Sequence, residues 1–232
     1  MPYFFSEIIG GAKLESKTRK GDFIEIEYTG LVKDSSEVFD TTDMETAKKA
    51  GIHAEGAEYN PRTVCIGENH LLKGLEDNLA GKEVGKELEI NLNPEQGFGK
   101  KNPKYIQLIP TGKFKKHNIQ PAPGLQVNID GIIGIVKTVT GGRTLVDFNH
   151  PLSGRALVYN VKINKIIIDD KEKLEGLARL YINKGKLDIE IDEGNATIRT
   201  DDEQQDVIKE KLKSEVKKLI PGVKKLSFAI VK

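Results

Sequence analysis

The chain has 232 residues and a formal net charge of +1, with 38% hydrophobic and 31% charged residues. That balance describes a soluble globular protein of one or two domains, without a global pull toward nucleic acid or an anionic membrane surface. A single cysteine, Cys65, cannot form an internal disulfide, and no apolar run approaches the roughly 20 residues that span a bilayer, so a cytoplasmic protein is expected.

The first segment, Met1-Pro2-Tyr3-Phe4-Phe5-Ser6-Glu7-Ile8-Ile9, has neither a basic lead nor a long apolar stretch, which argues against a secretory signal. Residues 20–40 alternate like a strand, with Phe23, Ile24, Ile26 and Tyr28 followed by Leu31 and Val32. Thr42 with Glu45 is a capping-box pattern and predicts a short helix stopped by Gly51. Pro61 restarts an extended run through Ile66, in which Cys65 reads as a buried, inert thiol. Leu71, Leu72, Leu75 and Leu79 recur at helical spacing up to Gly81. Glu87 to Leu92 alternates again, and Pro94, Gly97 and Gly99 open a loop.

Residues 100–148 change character. They hold Pro103, Pro110, Pro121 and Pro123, and their charges are mostly basic. Leu125 to Ile129, Ile132 to Val139 and Leu145 to Phe148 read as strands, so this is a β-rich module inserted after Gly99. Asn149 to Asn164 rejoins the first domain, with Leu157, Tyr159, Val161 and Ile163 alternating. Beyond Asp169 the pattern is α-β-β-α-β: Leu174, Leu177, Ala178 and Tyr181 mark a helix, and Leu187 to Ile191 a strand. A Glu193-Gly194-Asn195 turn leads to a second strand near Ile198. Asp201-Asp202-Glu203 is expected to cap a second helix, before a last strand at Leu226 to Ile230. The predicted organisation is a discontinuous domain (1–99 plus 149–169), an inserted domain (100–148) and a C-terminal α+β domain (170–232) expected to fold separately.

Several short motifs occur in a fixed order. Tyr28-Thr29-Gly30 and Phe39-Asp40-Thr41 are followed by Ile66-Gly67 and Leu71-Leu72-Lys73-Gly74-Leu75-Glu76. Pro94-Glu95-Gln96-Gly97-Phe98-Gly99 comes next, then Asn149-His150-Pro151-Leu152-Ser153-Gly154 and Tyr159-Asn160-Val161. Taken singly, these aromatics read as core and Asp40 as a turn residue. Their joint order over residues 23–99 and 149–168 resembles the FKBP family of peptidyl-prolyl cis-trans isomerases. The NHPLSG segment resembles its SlyD-like branch, which carries a chaperone domain inserted in the flap, and the added C-terminal domain resembles a long archaeal-like type.

The resemblance implies an α+β fold, an antiparallel twisted sheet wrapped on a short helix. It implies an isomerase that assists protein folding, with holdase activity from the insert. Tyr28, Phe39, Leu71, Leu72, Leu75, Phe98 and Tyr159 match the family's pocket-lining places, and Asp40 its one acidic place. Rotating an X-Pro amide requires no nucleophile, so no cofactor or metal is expected. Leu75 stands where the best-known members carry Trp, and Phe98 where many carry Tyr. The expected partners are unfolded or partly folded polypeptides with X-Pro bonds, with no membrane or nucleic-acid partner. In the insert, Tyr105, Ile106, Leu108, Ile109, Phe114, Ile132 and Ile133 are candidates for client binding, some of them also needed for the module's own core.

Other readings compete. His53, His70, His117 and His150 are scattered at spacings that match no standard ligand set, so structural or surface roles are expected, with His150 at the pocket edge. Lys113, Lys115, Lys116 and His117 form a basic patch with Phe114, which leaves an RNA- or ribosome-associated factor as one alternative. A non-catalytic chaperone or docking protein is the other.

Overall fold

The computed structural model describes residues 17–115, 118–182 and 185–231. The N-terminal segment and the Lys116 and His117 part of the basic patch lie outside these residues.

The first sheet contains β1 (Phe23–Val32), β2 (Val38–Thr41), β3 (Arg62–Cys65), β4 (Glu87–Leu92) and β9 (Leu157–Ile167). Its order is β2-β1-β9-β4, with β3 paired to the start of β1, and every pairing is antiparallel. Alternation along β1, β4 and β9 sends Ile24, Ile26, Tyr28, Ile90, Leu92, Leu157, Tyr159, Val161 and Ile163 into one core, against Leu75 and Leu79. Helices α1 (Met44–Lys49) and α2 (Lys73–Asp77) are short. The N-cap of α1 is Asp43 rather than Thr42: the Thr46 N–H donates to its carboxylate at 2.7 Å. Thr42 is occupied elsewhere, its hydroxyl accepting from the Tyr28 N–H at 2.9 Å. Helix α2 is also shorter than the leucine spacing predicts. Leu72 is its N-cap with extended backbone (φ −55°, ψ 132°), so Leu71 and Leu72 enter the core from non-helical chain.

The insert holds β5 (Ile106–Pro110), α3 (Thr111–Lys115), β6 (Gln126–Ile129), β7 (Ile132–Thr140) and β8 (Arg143–Asp147) in a sheet of order β5-β8-β7-β6. Two-residue turns join its hairpins at Asp130-Gly131 and Gly141-Gly142. All four residues have φ between 52° and 84°, as the twist of a tight hairpin demands. Its two ends meet at a polar neck. The Asn102 N–H donates to Asn149 Oδ1 at 2.8 Å, the Asn149 amide returns a bond to the Asn102 carbonyl at 3.1 Å, and Lys101 pairs with buried Asp147 at 2.7 Å.

The C-terminal module runs α4 (Asp170–Arg179), β10 (Leu187–Asp192), β11 (Asn195–Thr200), α5 (Asp206–Leu219) and β12 (Lys225–Ile230), in a sheet of order β10-β11-β12. Helix α5 crosses between β11 and β12, which are therefore parallel. Its start lies later than Asp201-Asp202-Glu203 predicts, at Asp206 after Gln205, because the Asp201 carboxylate accepts the Lys186 N–H at 2.7 Å instead. No helix among the described residues is long and apolar enough to cross a membrane.

The core of this module does not stop at its own boundary. Leu174, Leu177, Leu212 and Val216 form one cluster with Phe23, Cys65 and Ile167 of the first sheet. Strand β1 is thus buried on both faces at its beginning, Ile24 toward one core and Phe23 toward the other. Burial pushes the Cys65 thiol up to about 12, and the charges of Glu68 and Glu76 add to it. At such a value the thiol is unreactive.

Helix α4 crosses β3 at Gly176, where an added Cβ would lie 2.2 Å from the Thr63 Cβ. Gly176→Ala should therefore force the two elements apart and cost about 1–3 kcal/mol in chemical denaturation. At the neck, burial raises the Asp147 carboxyl, but Lys101 and Asn149 outweigh it and hold the group at about 2, below its ordinary 3.8. The corresponding stabilisation, about 2 kcal/mol, is complete above pH 4 and disappears as pH falls toward 2. Urea titrations between pH 2 and 6 should show that loss in the wild type and a flatter acid limb in Asp147→Asn.

Candidate active site

Five separate stretches of chain deliver aromatic and aliphatic side chains to one end of the first sheet. Strand β1 brings Tyr28, β2 brings Phe39 and Asp40, and the approach to α2 brings Leu71 and Leu72. The helix itself brings Leu75, the loop after β4 brings Phe98, and β9 brings Tyr159. Tyr28, Tyr159 and Leu75 are buried, whereas Phe39, Asp40, Leu71, Leu72 and Phe98 are half-buried and form the open side.

The rings make a continuous aromatic wall. Tyr28 and Tyr159 lie 5.9 Å apart between centroids. Phe39 stands edge-on to Tyr159 at 5.7 Å and to Phe98 at 6.2 Å, and Phe98 stacks on His150 at 4.4 Å with the planes 3° apart. Gly30 makes this approach possible. It pairs with Asp40 on one side and Tyr159 on the other, and a Cβ there would sit 2.8 Å from Phe39 and 2.9 Å from Tyr159. Any side chain at position 30 would push the rings apart.

Asp40 is the one carboxylate among these groups. The Tyr28 hydroxyl donates to its Oδ2 at 3.0 Å, which fixes it at the rim. Burial, then the Asp40 charge, push the Tyr28 phenol up, and burial with Asp40 does the same to Tyr159. Both phenols therefore stay neutral donors across the working pH range. The neighbouring threonines lock the strand that carries Asp40: the Thr29 and Thr41 hydroxyls lie 2.9 Å apart, and the Thr42 N–H donates to the Tyr28 carbonyl at 3.0 Å.

Three further residues belong to this region: Arg62, outside the motifs, and Glu76 and Ser153, which stand in them without an assigned role. Arg62, at the start of β3, holds its guanidinium 5.8 Å from the Tyr28 ring centroid. Glu76 is 3% exposed and accepts the N–H groups of Asn69 and His70 at 3.0 and 3.2 Å, shaping the loop before Leu71. Ser153 donates its hydroxyl to the Phe98 carbonyl at 3.1 Å and steadies that ring. The Glu76 role was hidden because a glutamate in a short helix ordinarily reads as a solvated face.

A separate cavity of about 730 Å³ lies between β3 and α4, lined by Glu25, Arg62, His70, Glu172, Arg179 and Tyr181 among others. Its charged walls do not suit an apolar ring. Among the described residues no group of three or more His, Cys, Asp or Glu side chains could hold a metal ion. In the insert, Tyr105, Ile106, Leu108, Ile132 and Ile133 are exposed. Ile109 and Phe114 are not available to a client: they are buried with Val127, Val136 and Val146 and form the insert's own core. A five-residue helix over a four-stranded sheet covers only one face, so these two had to serve inside.

Comparison with known proteins shows the family. Residues 15–114 match the FKBP-type peptidyl-prolyl cis-trans isomerase family, and residues 107–152 match the FKBP26 IF domain. The chain is 31% identical to a short-type peptidyl-prolyl cis-trans isomerase of Methanocaldococcus jannaschii, over 64% of this chain and 93% of that protein. It is 34% identical to a probable FKBP-type 16 kDa peptidyl-prolyl cis-trans isomerase of Pseudomonas fluorescens, over 44% of this chain and 71% of the relative. It is 31% identical to the isomerase SlyD of Haemophilus influenzae, over 49% and 62% respectively. With relatives above 30% identity matched over most of their length, the chain belongs to the FKBP-type peptidyl-prolyl cis-trans isomerases, and it is an enzyme of that class.

Proposed function

We propose that the aromatic cleft between Phe39, Phe98 and Tyr159 is where the prolyl bond turns, and that the insert holds non-native chains beside it. The observation that carries the reading is the convergence of rings around Gly30 with a single fixed carboxylate at their rim. Enzymes of this family act on proline-containing polypeptides. Rotation about the amide meets a barrier of about 18–20 kcal/mol, while the cis and trans X-Pro forms differ by about 1 kcal/mol. Catalysis therefore needs a site that favours the twisted amide over both planar forms. In the twisted state conjugation is lost and charge separation falls, so a dry aromatic cleft suits it better than water does. Leu75 closes the floor, Leu71 and Leu72 with Phe39 and Tyr159 grip the proline ring, and Asp40 orients the substrate carbonyl. No proton leaves, so Asp40 is an electrostatic partner and not a base.

The insert supplies a second contact for long substrates. Exposed Leu108, Ile132 and Ile133, at 51, 59 and 56%, are apolar surface of the kind that attracts unfolded chain. Holding a client there raises the effective concentration of its prolines at the cleft, as in a two-site tethered binder. This supports a SlyD-like arrangement of isomerase and holdase, with residues 100–148 as the holding domain. The proposed division leaves 1–99 with 149–169 as the catalytic domain and 170–232 as the added C-terminal domain of a long archaeal-like type.

Protease-coupled tetrapeptide turnover should fall at least about tenfold in Phe39→Ala and Tyr159→Ala, a loss of roughly 1.4 kcal/mol or more from transition-state binding. Asp40→Ala should lower turnover while leaving the unfolding free energy within about 1 kcal/mol of wild type. Full activity in all three would remove the cleft from consideration. The neck joins Gly99 to Gly154 through a 2.8 Å backbone hydrogen bond, so a short Gly-containing loop can replace residues 100–148. That variant should keep tetrapeptide turnover within about an order of magnitude, yet lose catalysis of proline-limited refolding and suppression of aggregation. Intact refolding catalysis would show that clients are held elsewhere.

A further inference from the structure

We propose that helix α5 of the C-terminal module is a positioning element of the isomerase cleft, with Glu215 and Lys218 setting the loop 68–70 and, through it, the Leu71–Leu72 wall. The proposal rests on Leu71 and Leu72 lining the cleft.

The loop between β3 and α2 is held from two sides. From inside, Glu76 takes the N–H groups of Asn69 and His70. From outside, Glu215 Oε2 lies 3.5 Å from His70 Nε2, and Lys218 pairs with Glu68. The His70 Nδ1 accepts the Cys65 N–H at 3.0 Å, which leaves the ring proton on Nε2, directed toward α5. The side chains of His70 and Glu215 are only 4 and 13% exposed, so their mutual attraction is poorly screened. The other oxygen of Glu215 is already fixed by the Tyr181 hydroxyl at 2.5 Å and Lys211 at 2.9 Å. Glu215 is therefore a rigid post, and His70 is the part that leans on it.

Two facts make this more than packing. Glu76 alone satisfies the N–H groups of Asn69 and His70, so the α5 contacts are additional to closing the loop. And at 3.5 Å neither His70 Nε2 nor Glu215 Oε2 completes a hydrogen bond, so this contact can tighten or relax without breaking the loop. Leu71 follows His70 directly, and Leu72 caps the helix that carries Leu75. A shift of the loop thus reaches the wall and the floor of the cleft together. Rates in such sites respond to misplacements well under the size of an atom. The Cys65 end of the same stretch lies in the cluster shared with Leu174 and Leu212, so the module bears on the segment at both ends.

The test uses the full chain. Glu215→Ala and Lys218→Glu should each lower tetrapeptide kcat/KM by about 3- to 30-fold, and should move the Leu71 and Leu72 amide resonances. Glu215→Asp, which keeps the charge facing His70, should restore part of the rate. Lys218 is 64% exposed, so its variant reports on the loop without risk to folding. Saturation with a proline-containing peptide should in turn shift the amide resonances of Glu215 and Lys218, since coupling is reciprocal. Leu72→Ala serves as the control for the cleft. If Leu72→Ala loses activity while Glu215→Ala and Lys218→Glu keep wild-type kcat/KM, the coupling is overturned and the cleft stands. If Leu72→Ala is fully active, the cleft reading fails and the coupling with it. Lost activity with unmoved Leu71 and Leu72 resonances also overturns the proposal.

Discussion

The pairing of β1 with β9 is the constraint on which the other parts depend. It joins residues 23–32 to residues 157–167, with the whole insert lying between them in sequence. The entropic cost of closing a loop rises only slowly with its length, and an insert that brings its own ends together shortens the loop that must be closed. The neck does this with the side chains of Lys101, Asp147 and Asn149 and the backbone of Asn102. Once the register is fixed, Gly30 must face Tyr159, and the cleft follows from the space that glycine leaves.

The same strand couples two cores. Most strands of a sheet with one solvated face alternate strictly, but Phe23-Ile24 and Val64-Cys65 place apolar side chains on both faces. The first sheet can then be covered by α2 on one side and by α4 and α5 on the other. The close crossing of Gly176 over Thr63 shows how little room separates them. A charge-rich module is thereby joined to the first sheet by an apolar seam, with a polar clasp at Glu68, His70, Lys218 and Glu215 along its edge.

The insert stands in a different relation to the sheet. Its core is its own, built of Ile109, Phe114, Val127, Val136 and Val146, and it joins the rest of the chain through the polar neck. Apolar side chains remain on its surface because a sheet with one short helix cannot cover both faces. Contiguous apolar surface of that kind is uncommon on a monomeric protein.

Much of this was legible in the sequence. Alternation in residues 23–32 and 157–167 reflects the two-residue period of a half-buried strand, and the Gly and Pro punctuation marked the insert and its return. The joint order of Tyr28, Phe39, Asp40, Leu71, Leu75, Phe98 and Tyr159 carried the family, because each of these residues taken singly reads as core or turn. Local signals failed where a side chain had two possible partners. Thr42 looked like a helix cap until β1 claimed its hydroxyl, and Asp201 until Lys186 claimed its carboxylate. Leu71 and Leu72 had helical spacing, yet Glu76 folds the preceding loop so that they lie before the helix begins. Which apolar residues of the insert turn inward, and which face of β1 meets the C-terminal helices, depend on what packs against each surface. A periodicity records that a face is buried; only the tertiary structure decides against what.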